Sequence, residues 1–340
     1  MAGTSNTKSA RTATLGTGTF AGKKRALLDT NIWRYVVDNN AQGDLLRLAR
    51  KGSCKVQIAP GVLYETLRLK DIPLRATLVR LMTNSRFHRL MPEAYSESME
   101  ILREIEQVRP DWLRHKPDLR FFNRLQKDWS RTRGGFWVRC ERSPESEASF
   151  LGQDEGEMIE GARAQAQLAR KEMIDIGWKR NPPMDKTLAG FNFPVPGWRG
   201  DMVEAWRIDS LVSMTYGLAH RGHAYRDWVA PFVEVDDRLL RSAAWGEFWL
   251  YLADKSAMPR QWLRWAHSFA QRFRKVTPGS PGDTQLATYF IETDMVITAD
   301  RALIEILEEC RPYAPCRLPE GRVVPVGAEG VVELLSILEA

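Results

Sequence analysis

The chain lacks any run of about 18 apolar residues, so it offers no segment long enough to cross a bilayer as a helix. It has few cysteines, Cys54, Cys140, Cys310 and Cys316, and no two of them stand at the short spacing of a zinc site. Four in 340 residues is also sparse for a disulfide framework, so reduced thiols and a cytoplasmic location are expected. Residues 1–25 contain no acid, no apolar core of a signal peptide and no amphipathic periodicity; residues 1–24 read as a flexible basic arm. The five histidines form no pattern with a serine or cysteine nucleophile. His220 and His223 are three apart, but Gly222 between them and their expected exposure argue against a shared metal. Leu15–Lys24 is glycine-rich, yet it lacks the spacing, the following Ser or Thr and the preceding strand of a phosphate loop. The same missing strand excludes Gly16, Gly18 and Ala21 as a dinucleotide fingerprint.

What is present is a 44% hydrophobic chain, enough for a sizeable core and, by length, about two domains. Short apolar runs alternate with helical spacing at both ends. Ala26–Leu28, Lys55–Ala59, Phe87–Leu90, Met295–Thr298 and Val323–Val326 read as strands. Helices are expected over Ile32–Asn39, Gly43–Lys51, from Pro60, Glu93–Val108, Gln261–Val276, Asp283–Glu292, Arg301–Cys310 and Ala328–Leu338. Strand and helix in alternation imply an α/β fold with a parallel sheet flanked by helices. Residues 25–108 and 256–340 carry that pattern. Residues 109–255 interrupt it with a mostly helical stretch, whose clearest helix is Gln153–Gly177 and whose proline- and glycine-rich loop is Arg180–Gly200. Nine tryptophans there predict an insertion that buries a core of its own.

Four acids stand out against this pattern. Asp29 and Asp300 each end an apolar strand; Glu65 shares a helical stripe with Gly61 and Leu69; Asp283 opens a helix face continued by Leu286, Ala287 and Phe290. Strand ends of an open α/β sheet share one rim, so all four carboxylates can meet there. Two carboxylates ~5 Å apart repel by roughly 3 kcal/mol at an effective dielectric of about 20. A cluster of four is therefore expected to hold Mg²⁺ or Mn²⁺, which favour oxygen ligands and keep activatable waters. Asn31 and Thr298, polar and close to the acids in sequence, are expected to orient ligands or water. Taken singly, Asp283 and Asp300 are as well explained as helix caps. Glu292 and Asp294 fit a helix–strand turn better than the cluster.

The ordered set Asp29-Thr30-Asn31, Glu65, Asp283 and Thr298-Ala299-Asp300 resembles the PIN domain, the metal-dependent ribonuclease fold shared by many toxin–antitoxin toxins and RNA-processing enzymes. The resemblance covers about half the chain, and the long middle segment departs from it. It implies an endoribonuclease with Mg²⁺ or Mn²⁺ at Asp29, Glu65, Asp283 and Asp300. It implies RNA as substrate and, for a toxin, an antitoxin or other inhibitory protein as partner; a homodimer is compatible with it. Two alternatives stay open: a non-cleaving RNA-binding scaffold, and a nuclease for structured DNA.

The formal charge of +6 favours a polyanionic partner. Arg109–Arg142 holds ten basic residues and four acids, interleaved with aromatics. The aromatics are expected in a core and some of the arginines on nucleic acid. Ala257–Pro281 has no acid and carries Arg260, Arg264, Arg272, Arg274 and Lys275. With Arg34 and Arg301, these are expected to form a basic wall beside the acids, guiding a phosphate backbone.

Overall fold

In the computed structural model, five parallel strands form one sheet: β1 (Lys24–Leu28), β2 (Cys54–Ile58), β3 (His88–Arg89), β4 (Met295–Thr298) and β5 (Glu320–Val323), ordered β3-β2-β1-β4-β5. The structure describes residues 23–52, 54–152, 154–175, 177, 184–185, 195–275 and 280–340. Most of the basic arm, of the glycine-rich Leu15–Lys24 and of the loop Arg180–Gly200 lies outside the described residues. Among the described residues, no helix is long and apolar enough to cross a membrane.

The three middle strands, β2, β1 and β4, are the most buried. In β4 all four residues are buried, and in β1 the last three are. Continuous apolar runs of this kind suit a parallel strand covered on both faces. In-register pairs such as Leu27↔Gln57 and Leu27↔Val296 lock β1 between its neighbours, although residues 24–28 and 295–298 stand at opposite ends of the chain.

The helices follow the expected periodicity with shifted ends. Glu93–Val108 and Arg301–Cys310 form as expected. The helix expected over Asp283–Glu292 instead runs over Ser280–Ala287, with a separate 3₁₀ turn at Phe290–Glu292. Asp283 therefore sits within the first turn and does not open the helix. The last strand lies three residues earlier than its apolar run, because pairing of Met295 with Glu320 and Thr298 with Val323 sets its register. Val326, in the expected strand, is exposed. An unexpected helix, Ile72–Met82, is signalled by its own start: Asp71 caps it, its side chain accepting from the Leu74 N–H at 3.0 Å, and Pro73 lies in the first turn.

Residues 109–255 are largely helical, including Leu119–Ser130, Phe136–Arg142, Asp154–Asp175 and Met202–Ala219. They do not bury a core apart. Trp137, Trp206, Trp245 and Trp249 are fully buried in the same apolar cluster as Leu27, Leu28 and Ile297 of the sheet. A smaller cluster, Ala94, Tyr95, Phe122 and Trp228, joins the middle of the chain to Glu93–Val108.

Candidate functional site

Strand order reverses at β1 and β4: β2 and β3 lie on one side of them, β5 on the other. The crevice at the carboxyl ends of two such strands is where open α/β sheets collect ligands. Asp29 follows β1 and Asp300 lies two residues past β4. The Asp29 N–H donates to the Ile297 carbonyl at 3.1 Å, which carries the ladder one residue further and holds Asp29 against β4.

Asp29 is buried, and its carboxylate is gripped from three sides. Oδ1 accepts from the Thr30 N–H at 2.6 Å; Oδ2 accepts from the Thr298 hydroxyl at 2.6 Å and the Asn31 amide at 2.7 Å. Thr298 Oγ1 in turn accepts from the Asp300 N–H at 2.9 Å, and Asn31 Oδ1 from the Ala299 N–H at 3.2 Å. Asn31 and Thr298 thus tie the ends of two strands that are about 270 residues apart in sequence. Two acids also cap helices while they face the crevice. Asp29 starts Thr30–Asp38, and Asp300 Oδ1 accepts from the Ala302 N–H at 2.7 Å to start Arg301–Cys310.

Glu65 lies on the helix Pro60–Leu67, whose proline occupies the first turn after β2. The Thr30 hydroxyl donates a short hydrogen bond to Glu65 Oε2. The helix Ser280–Ala287 packs against this one, and it can do so because residue 282 is glycine: a Cβ there would lie 1.8 Å from Glu65 Oε1. The same helix is positioned by His267 Nδ1, 3.1 Å from Thr284 Oγ1, and by Gln285, whose amide donates to Glu93 at 3.3 Å. Thr30, Gly282 and Gln285 were not singled out from the sequence. Only Thr30 carried a signal, its place inside the Asp-Thr-Asn triplet.

Asp29, Glu65 and Asp283 each feel the charge of another acid of the set. Burial, then the charges of Asp29, Glu65 and Asp300, hold the Asp283 carboxyl well above the usual carboxylate range. No donor or cation among the described residues offsets that effect. Burial also raises Asp29, against its hydrogen bonds from Thr298 and Thr30, and the charge of Asp300 adds to the rise. Glu65 is pushed up to about 7 by burial, opposed by the Thr30 hydroxyl and reinforced by Asp29. An all-oxygen set with uncompensated negative charge fits a hard divalent cation. Among the described residues, however, no three His, Cys, Asp or Glu side chains are grouped to grip one ion directly. Mg²⁺ often meets protein through one or two carboxylates and keeps several waters. The donor set fits that mode, in which the remaining acids would reach the ion through its water.

The expected basic wall is not what the fold builds. Arg264 donates to buried Glu97 at 2.6–3.1 Å, and Arg260 is shared between Glu100 and Glu292. Arg274, only 6% exposed, bridges Glu305 at 2.8 Å and Glu309 at 2.6 Å. Arg272 lies 3.6 Å from Asp209, and Arg34 pairs with Asp38 at the surface. Ala257–Pro281 contains no acid, but tertiary contact brings glutamates from Glu93–Val108 and from residues 292–309 onto its arginines. Lys275 and Arg301 remain exposed. Asp294, set aside in the sequence, pairs with Arg25 at 3.0 Å.

Compared with protein-family models, curated proteins and solved structures, the chain matches none of them.

Proposed function

We propose that the protein is a Mg²⁺- or Mn²⁺-dependent endoribonuclease of PIN-like type. One observation carries this reading: Asp29 and Asp300, from opposite ends of the chain, stand at neighbouring strand ends and share Thr298, while Glu65 and Asp283 press their charge on the same crevice. Asp29, Glu65, Asp283 and Asp300 would hold the ion, directly or through its water. When bound, the ion supplies an activated water and a counter-charge for attack at phosphorus. Thr298 and Asn31 hold Asp29 Oδ2 and the Thr30 N–H holds Oδ1, while the Thr30 hydroxyl aims Glu65. The Asp283 carboxylate is the least compensated of the four, so it has the most to gain from a cation.

The deciding assay incubates the purified protein with single-stranded RNA and Mn²⁺, beside the same protein in chelator and an Asp29→Asn variant. Cleavage is expected with Mn²⁺ in the wild type alone. No cleavage by the wild type, or equal activity in the variant, overturns the assignment. A parallel DNA substrate separates the ribonuclease from a structure-specific DNA nuclease. If cleavage proves toxic to cells, the neighbouring reading frame is where a neutralising partner is expected.

A second reading, an RNA-binding scaffold that does not cut, draws on the lack of any ready trio of ligands among the described residues. Calorimetry with Mn²⁺ separates the two, since the scaffold would take up no ion.

A further inference from the structure

The middle of the chain contains a cavity of about 430 Å³ in a separate group of residues from the four acids. Arg114, Lys116, Arg221 and Arg226 line it, together with Asp118, Asp227 and the ring of Phe121. Some cations elsewhere in this fold are paired with acids, as Arg139 is with Asp128 and Glu147. None of these four forms a salt bridge among the described residues. Arg114 donates to the Ala230 carbonyl at 3.0 Å, and Arg226 to the carbonyls of Leu218 and of Val235, the latter at 2.9 Å. Those neutral partners orient the guanidinium groups and leave their charge in place. Lys116 and Arg221 are exposed and pair with no acid among the described residues. Of the two carboxylates, Asp118 is turned towards its own helix, where it accepts from the Phe121 N–H at 3.0 Å. Asp227 stays beside Arg226, whose charge opposes the rise that burial imposes on its carboxyl.

The walls of the cavity are braced. Leu113 and Val233 form an antiparallel bridge, the Arg114 N–H donates to Phe232 at 2.7 Å, and the Asp118 N–H donates to Pro231 at 2.9 Å. A net positive, pre-shaped pocket of this size with one aromatic edge suits a small anion bearing a flat ring. Phe121 is partly exposed and carries the Arg124 guanidinium 5.0 Å from its ring centre, a surface on which a base can stack.

We infer that this pocket binds a nucleotide phosphate, with the cations on the phosphate and the base against Phe121. The inference goes beyond the reading of the acidic crevice and does not need it. The same chemistry is offered by a residue of an RNA strand and by a free nucleotide.

The test measures binding of a fluorescent single-stranded oligoribonucleotide, AMP and inorganic phosphate to the full chain in chelator, so that no cleavage intervenes. The variants are Lys116→Glu/Arg221→Glu and, as a charge-matched control, Arg238→Glu/Arg317→Glu, all exposed positions. The pocket variant is expected to lose about tenfold or more in affinity, while the control changes far less. Its log–log salt slope for the oligonucleotide should also fall by about 1.4, from two lost phosphate contacts. Tight binding of the oligonucleotide with weak AMP marks an RNA site; the reverse marks a nucleotide site. Equal losses in both variants, or binding by the pocket variant at wild-type strength, overturn the proposal. Because cleavage plays no part, a failure here leaves the Mn²⁺ assay to judge the acidic crevice.

Discussion

Glu65 Oε1 occupies the space that a Cβ on Gly282 would need, 1.8 Å from it. The carboxylate of one helix is thus seated against the bare backbone of another, one residue before Asp283. This is a position where an added methyl group acts on chemistry more than on stability. The displaced atoms are the far end of a flexible side chain, so Glu65 can turn aside, at the cost of its bond from Thr30.

Gly282→Ala is therefore expected to lower Mn²⁺-dependent cleavage by about 100-fold, the effect of misplacing a catalytic group by roughly 1 Å. Its thermal stability should change by less than about 1 kcal/mol. A variant that melts as the wild type and cleaves as fast would show that the seat of Glu65 is irrelevant to activity.

Among the described residues, Asp283 feels three acids and no cation. Mn²⁺ or Mg²⁺ at 100 times its dissociation constant should stabilise the wild type by ~2.7 kcal/mol. Asp283→Asn removes the repulsion, so it should raise the melting temperature in chelator and abolish the gain from the ion. Differential scanning fluorimetry reads both. An unchanged ion response in the variant counts against Asp283 as part of the site.

The pairing of Arg260 with Glu100, side chains 12% and 2% exposed, joins Pro259–Gln271 to Glu93–Val108. Removing one member of a buried pair strands the other, which costs about 3–5 kcal/mol. Arg260→Met should destabilise by that amount in urea titrations, and Arg260→Met/Glu100→Met should recover most of it. RNA affinity of the folded Arg260→Met protein should match the wild type, since this guanidinium faces glutamates and not solvent.

His267 is buried, its Nε2 has no partner among the described residues, and burial followed by the charge of Arg274 pushes its pKa down to about 3 from 6.5. The folded state thus binds fewer protons than the unfolded chain between those values, so this group's contribution to stability is present above about 6.5 and is lost as pH falls towards 3. His267→Gln cannot titrate. The stability difference between wild type and variant should shift towards the variant across that window, as measured by urea titration at successive pH values. A constant difference would show that His267 takes up its proton alike in the folded and unfolded states.

Local pattern was enough to locate the strands before Asp29 and Asp300 and the helices Glu93–Val108 and Arg301–Cys310, because apolar runs and helical spacing are written in neighbouring residues. The four acids were legible for the same reason: each breaks or ends such a run. Edges were less so. The last strand begins at Glu320 because β4 supplies its hydrogen-bond partners, and no apolar pattern marks that start.

Order and periodicity along the chain determined that this is an α/β protein with acids at its strand ends. Tertiary structure decided where charge is spent. It set β4 beside β1, so that Thr298 reaches Asp29, and it turned the arginines of Ala257–Pro281 inward onto glutamates far away in sequence. It left Arg114, Lys116, Arg221 and Arg226 facing a cavity instead. A charge acts across space and not along the chain, so whether it is paired or free depends on which distant segment packs against it.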